Sequence, residues 1–170
     1  MDFMILNWIQ THMRCDFLDF IFSHITMLGN GGLIWIFICV LLLFTKRYRK
    51  AGIFILLAML TGNLLGEQII KPLIARPRPF IQQSFDLIIP APSGYSFPSG
   101  HTASSFCAAL FLTLLNRRFA LPAYLLAVAI AFSRMYLYVH FPTDVLAGII
   151  LGSVCALIFY YLYIYNKKTS

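Results

Sequence analysis

The sequence predicts an all-α fold, a polytopic transmembrane helical bundle of five spans preceded by N-terminal interfacial helices, and three observations carry that expectation. Sixty per cent of the 170 residues are hydrophobic and only 11% are charged, where a soluble domain carries about 25% charge. Five stretches of the length a membrane helix needs, about 20 mostly apolar residues, follow one another at 28–45, 50–70, 99–116, 119–139 and 143–165. The basic runs Lys46–Lys50, Arg117–Arg118 and Lys167–Lys168 fall at alternate ends of successive stretches, so all three lie on one side, as cytoplasmic loops do.

Residues 1–27 are apolar but interrupted by Asp2, His12, Arg14, Asp16, Asp19 and His24, and neither half is long enough to span. They are expected to form two short amphipathic helices in the outer interface, separate from a transmembrane domain over 28–170, with the N-terminus outside. A sixth, imperfect span is the alternative. The opening Met-Asp-Phe-Met-Ile-Leu has neither a basic n-region nor a small-residue cleavage site, so it is not expected to be a cleaved signal peptide.

The connection 71–98 holds six of the eight prolines. Pro72, Pro77 and Pro79 stop the preceding helix, and Pro90, Pro92 and Pro98 stiffen the approach to the next. Phe80, Phe85, Tyr95 and Phe97 give this loop an apolar side suited to the headgroup region. Tyr160, Tyr161, Tyr163 and Tyr165 read as an aromatic belt at the inner interface. Gly62-x-x-x-Gly66 and Gly148-x-x-x-Gly152 let helices approach closely within the chain, and they imply no dimer, so the oligomeric state stays open. Cys15, Cys39, Cys107 and Cys155 show no paired spacing, which implies neither a disulfide nor a metal cage.

Both the 71–98 connection and the 140–142 turn face the side opposite the basic loops, and three polar clusters gather there. In Lys71-Pro-Leu-Ile-Ala-Arg-Pro-Arg-Pro79 three cations stand where the positive-inside rule disfavours them. Snorkelling of Lys71 to the headgroups is the plain alternative. Asn63 and Glu67 share a helical face with Lys71, and a buried Glu67 would hold its ammonium or serve only as its counter-ion. Phe97-Pro-Ser-Gly-His-Thr102 opens a long apolar helix whose N-terminus, with free N–H groups and a positive dipole end, suits an anion. Ser99 alone would pass for an N-cap. In the stretch Ser133–Asp144, His140 and Asp144 lie four residues apart across a turn. The carboxylate there can accept one ring N–H and leave the other nitrogen as nucleophile or base.

The net charge of +7 would suggest nucleic acid only if the basic residues lined one face, and they do not. A metal held by His101, His140 and Asp144 would be repelled by Lys71, Arg78 and Arg134, so no metal and no cofactor is expected. Anion binding uses all three clusters.

Lys71-x6-Arg78-Pro79, Pro98-Ser99-Gly100-His101 and Ser133-Arg134-x5-His140-x3-Asp144 resemble the three-part signature of the phosphatidic acid phosphatase type 2 superfamily, which includes the vanadium haloperoxidases and glucose-6-phosphatase. The resemblance covers 71–144 with every signature position in order. It departs at the N-terminus, where many bacterial membrane members have six spans. It implies that Lys71, Arg78, Arg134, Ser99 and Gly100 hold phosphoryl oxygens. It further implies that His140 attacks phosphorus, that Asp144 orients its imidazole, and that His101 protonates the leaving oxygen and then activates water. Arg76 lies off the fixed positions and is expected to touch a headgroup at most. The implied partners are the bilayer and a phosphorylated membrane lipid, with the site on the extracytoplasmic side. Undecaprenyl diphosphate is the first candidate substrate, and phosphatidylglycerophosphate or phosphatidic acid the next. Two competing classes remain at this point: a transporter that binds phosphorylated headgroups without hydrolysis, and vanadate-dependent haloperoxidase chemistry.

Overall fold

A computed structural model describes residues 1–169, and among them every regular element is helical. The main helices are α1 (Asp2–Met13), α2 (Asp16–Leu28), α3 (Leu33–Leu43), α4 (Arg49–Leu64), α5 (Lys71–Ile74), α6 (Pro79–Gln82), α7 (Gly100–Leu115), α8 (Ala120–Tyr136) and α9 (Pro142–Lys168). A π-helical turn, Leu65–Ile70, continues α4 into α5. Such turns inside α-helices often mark functional sites.

The helix α7 is the hub, packed by α4, α8 and α9. Its small residues make this possible: Ala103, Ala108 and Ala109 are buried along its length, and Ser105 accepts a hydrogen bond from the Trp35 indole at 2.9 Å, tying α3 to it. On α9, a Cβ on Gly152 would clash with the Ala103 carbonyl, and one on Gly148 would lie 2.7 Å from the Ser99 carbonyl oxygen. Both glycines therefore act within the chain, as their spacing suggests.

Three stretches are long and apolar enough to cross a bilayer: Arg49–Gln82, Arg117–Tyr136 and Pro142–Lys168. The pair Asp16–Leu28 and Asn30–Leu43, bent by 48°, makes a fourth if taken as one span. Leu121, Leu125 and Val128 on α8, and Leu146, Ile150 and Leu157 on α9, are exposed, as lipid-facing side chains are. The protein is a multi-pass membrane protein.

The expected spans are altered at two places. The stretch expected at 28–45 yields only the 11 residues of α3, because Gly31 and Gly32 take positive φ (57° and 74°) and break the helix from α2. The stretch expected at 99–116 yields the 16 residues of α7. At 1.5 Å per residue that is about 24 Å, short of a hydrocarbon core of about 30 Å. Residues 1–27 do form two helices, but α2 runs one residue past the expected boundary. Both pack on the bundle, with α1 against α8 and α9 and α2 against α8, and Leu6 and Ile9 are buried.

Other expectations turn inward. Phe80 packs into the core around the 136–141 turn, and Phe85 stacks on Tyr138 with centroids 4.3 Å apart, so this side of the loop covers protein. Of the C-terminal tyrosines, Tyr161 and Tyr165 are exposed, while Tyr163 is buried between Phe54 and Phe111. The Tyr48 and Phe119 rings meet at 6.0 Å, so the basic turns at 46–50 and 117–118 share one end of the bundle. The histidine cluster lies at the other.

Candidate active site

The 137–141 turn presents His140, and its shape follows from local backbone bonding. The Arg134 carbonyl, near the end of α8, accepts both the Val139 and His140 N–H groups at 3.2 Å. Tyr138 takes a left-handed conformation (φ 59°), unusual for a non-glycine residue. Its hydroxyl bonds Asn7 Oδ1 at 2.8 Å and Gln83 Oε1 at 2.9 Å, which holds the turn in place. The chain then enters α9 through Pro142, with Asp144 in the first turn accepting the Phe141 N–H at 2.8 Å.

His140 is buried, its Nδ1 3.5 Å from Asp144 Oδ2, and its Nε2 is 3.2 Å from Arg78 Nη1. A guanidinium has no acceptor, so Arg78 donates and Nε2 carries the lone pair. The ring proton accordingly sits on Nδ1, toward Asp144. Burial first, then the charges of Arg134, Arg78 and Lys71, push the His140 pKa well below its ordinary value.

Arg78 is fixed by four bonds in all. Its Nη1 also donates to the Val139 carbonyl at 3.1 Å, and Nε and Nη2 donate to the carbonyls of Gly94 and Ser93, each at 3.0 Å. Arg134 donates from Nη1 to Thr26 Oγ1, while its buried Nε has no partner among the described residues. Neither guanidinium has a carboxylate within ion-pair distance among the described residues, although both are almost fully buried.

Ser99 is fully buried at the entry to α7, and its backbone N–H donates to the Asp144 carbonyl at 3.0 Å. The side chain makes no cap bond; its Oγ accepts from Thr102 Oγ1 at 3.0 Å, which leaves the Ser99 hydroxyl proton to donate elsewhere. Gly100 follows as the first residue of α7. His101 Nε2 meets Asn30 Oδ1 at 2.9 Å, and the charges of Arg134, His140, Lys71 and Arg78 all reach its ring.

Two expectations need correction. Glu67 does pair with Lys71, but its side chain is 46% exposed, so the carboxylate is not buried. It lines a cavity of about 520 Å³ together with Asn63, Gly100, His101 and Ser104, and with the apolar Ile36, Leu56, Met59, Leu60 and Leu151. Arg76, expected to touch a headgroup at most, donates to Asp144 Oδ1 at 2.7 Å, to Thr143 Oγ1 and to Asp2 Oδ2. No sequence signal singles out this pairing, because Asp2 is one of six ionisable residues that interrupt 1–27.

The structure thus gathers Arg78, Arg134, His140, Asp144 and Ser99 in one buried cluster. Gly100 and His101 line the cavity beside it, and Lys71 points to Glu67, which lines it too. Among the described residues, no group of three or more His, Cys, Asp or Glu side chains is arranged to hold a metal.

Over 123 residues, 71% of its length, the chain is 37% identical to an undecaprenyl-diphosphatase of Sulfolobus acidocaldarius, and it spans 59% of that protein. The crystal structure of a transmembrane PAP2 type phosphatidylglycerolphosphate phosphatase from Bacillus subtilis superposes on 99% of the chain and 86% of its own, with a TM-score of 0.79 and 29% identity. LpxE of Aquifex aeolicus superposes on 93% of each chain, with a TM-score of 0.77 and 30% identity. The PAP2 superfamily model matches residues 51–168, which contain all three clusters, and the chain belongs to that superfamily.

Proposed function

We propose that this protein is an integral membrane lipid phosphatase that hydrolyses a phosphate or diphosphate monoester through a phosphohistidine. One observation carries the reading: two buried guanidiniums without carboxylate partners among the described residues, Arg78 and Arg134, stand beside a buried imidazole whose lone pair is on Nε2. Buried charge calls for a counter-charge, and a phosphoryl group supplies it while offering phosphorus to that lone pair.

In this scheme Arg78, Arg134, Lys71, the Ser99 hydroxyl and the Gly100 N–H hold the phosphoryl oxygens and stabilise the pentacoordinate transition state. Lys71 exchanges Glu67 for the substrate. A bond forms from His140 Nε2 to phosphorus as the bond to the leaving oxygen breaks, and His101 gives that oxygen its proton. Asp144 accepts the Nδ1 proton's hydrogen bond and stabilises the positive ring. His101 then takes a proton from water as it attacks the phosphohistidine, and Nε2 is released.

The cavity beside His101 is the place for the lipid chain, since apolar side chains of α3 and α4 line it. The basic turns at the opposite end of the bundle favour a site on the extracytoplasmic side. The undecaprenyl-diphosphatase relative supports undecaprenyl diphosphate as substrate, and the phosphatidylglycerolphosphate phosphatase structure supports phosphatidylglycerophosphate as the runner-up. The test is phosphate release from these lipids by detergent-purified protein in EDTA. His140→Ala is expected to abolish it. A strict need for an added divalent ion would sink the scheme.

A further inference from the structure

We infer that Arg76 is a positioning residue for this reaction, holding the Asp144 carboxylate against His140, and that Asp2 keeps Arg76 at its post. The inference rests on the phosphatase reading.

Asp144 has a fully buried side chain, and its two oxygens divide their work. Oδ2 accepts the Phe141 N–H at 2.8 Å and faces His140 Nδ1 at 3.5 Å. Oδ1 accepts from Arg76 Nη1 at 2.7 Å. The guanidinium itself is held by three further contacts: it lies 3.9 Å over the Phe141 ring, Nη1 also meets Thr143 Oγ1 at 2.6 Å, and Nη2 meets Asp2 Oδ2 at 2.6 Å. The Thr143 hydroxyl donates to the same Asp2 oxygen. A planar fork bonded at both nitrogens leaves the carboxylate little freedom to rotate.

The charges explain why two more residues are needed. A buried carboxylate alone beside an imidazole would take up a proton and cease to be an acceptor. Arg76 opposes that tendency but also cancels the negative charge that a phosphohistidine needs beside its ring. Asp2 restores it, so Asp2, Arg76 and Asp144 together carry one net negative charge. Asp2 belongs to α1, which also pins the His140 turn through Phe3 edge-on to Phe141 at 5.0 Å and through Gln10 Nε2 donating to the Tyr136 carbonyl at 2.6 Å.

The experiment measures kcat and KM for Arg76→Ala, Arg76→Lys, Asp2→Asn, Asp144→Asn and the Arg76→Ala/Asp144→Asn double variant, with melting in detergent recorded for each. Arg76→Ala is expected to lower kcat about 100-fold, the scale of a misplaced catalytic group, with KM within about 3-fold of wild type. Arg76→Lys, which can still reach one oxygen, recovers part of that loss, and Asp2→Asn loses about 10-fold. In the Asp144→Asn background, Arg76→Ala costs nothing further, because its effect passes through Asp144. An equal loss in both backgrounds, or an effect on KM alone, overturns the inference. Should Arg76→Ala fail to fold, the kcat of Asp2→Asn and Arg76→Lys decides, and wild-type values in both overturn it. A wild-type protein inert toward every phosphorylated lipid is a different result, visible before any variant is compared, and it removes the phosphatase reading itself.

Discussion

Arg78 Nη1 donates to His140 Nε2 across 3.2 Å, so a guanidinium covers the lone pair proposed to attack phosphorus. The contact orients the ring and names its tautomer, yet it must open before the nucleophile can act. A phosphoryl oxygen competes for the same N–H groups and gains more from them than neutral imidazole does. Arg78→Ala therefore uncovers the nucleophile but removes the group that draws phosphate to it. The second effect wins: kcat/KM is expected to fall about 10²–10³-fold, as for loss of a transition-state donor. Arg78→Lys should fall less, since it keeps the charge but loses the fork. Steady-state phosphate release measures both, and an Arg78→Ala variant as fast as wild type would show that the contact is only structural.

The environment of His140 sets a pH dependence. The cations facing it are Arg134, Arg78 and Lys71, the facing carboxylate is Asp144, and His101 lies within reach. Burial and those cations keep its pKa well below 6.5, so the reactive neutral ring persists into mildly acidic solution. The acidic limb of kcat/KM should accordingly lie below pH 6.5. Removing a cation lets the ring hold its proton more tightly, so Lys71→Met should move that limb upward. Substrate ionisation is common to both proteins and cancels in the comparison. A limb that stays fixed in Lys71→Met would mean that another group controls it.

The glycines of α9 make a stability prediction with an internal control. A Cβ at Gly152 meets α7 backbone head-on, whereas one at Gly62 finds Cys155 Sγ at an ordinary 3.5 Å. Gly152→Ala should cost about 2–3 kcal/mol or more and should also lower activity, because α7 carries Ser99 against Asp144. Gly62→Ala should melt close to wild type. Thermal unfolding in detergent compares the two, and equal melting would mean that the α7–α9 crossing tolerates a methyl group.

The eight candidate site residues could be picked out of the sequence because each is an ionisable or helix-opening residue at a fixed spacing inside an apolar chain. Their supports were not legible. Thr26 on Arg134, Asn30 on His101 and Asp2 on Arg76 join positions 108, 71 and 74 residues apart, and no periodicity connects a polar side chain to so distant a partner. Span lengths misled for a related reason. The expected span at 28–45 takes in Gly29-Asn30-Gly31-Gly32, where positive φ at Gly31 and Gly32 bends the chain, and the one at 99–116 counts a polar opening, Ser-Gly-His-Thr-Ala-Ser-Ser, toward its length. Tyr163 looked like its neighbours until helix packing gave each one a face.

The cavity beside His101 separates recognition of the lipid from the chemistry. Leu60 of α4 and Ile36 of α3 line it, and both are partly exposed, so an indole at either position fills the groove without entering the core. Each methylene of a chain lying there contributes up to about 0.8 kcal/mol, so blocking a few of them costs a long-chain substrate a factor of ten or more. A short, water-soluble phosphate ester uses only the phosphoryl site and should lose nothing. Leu60→Trp and Ile36→Trp are therefore expected to lower kcat/KM about 10-fold or more for a long-chain prenyl phosphate while leaving the soluble ester at the wild-type rate. Equal losses on both substrates would mean that the indole disturbs His101. No loss on either would put the lipid chain on another face of the bundle.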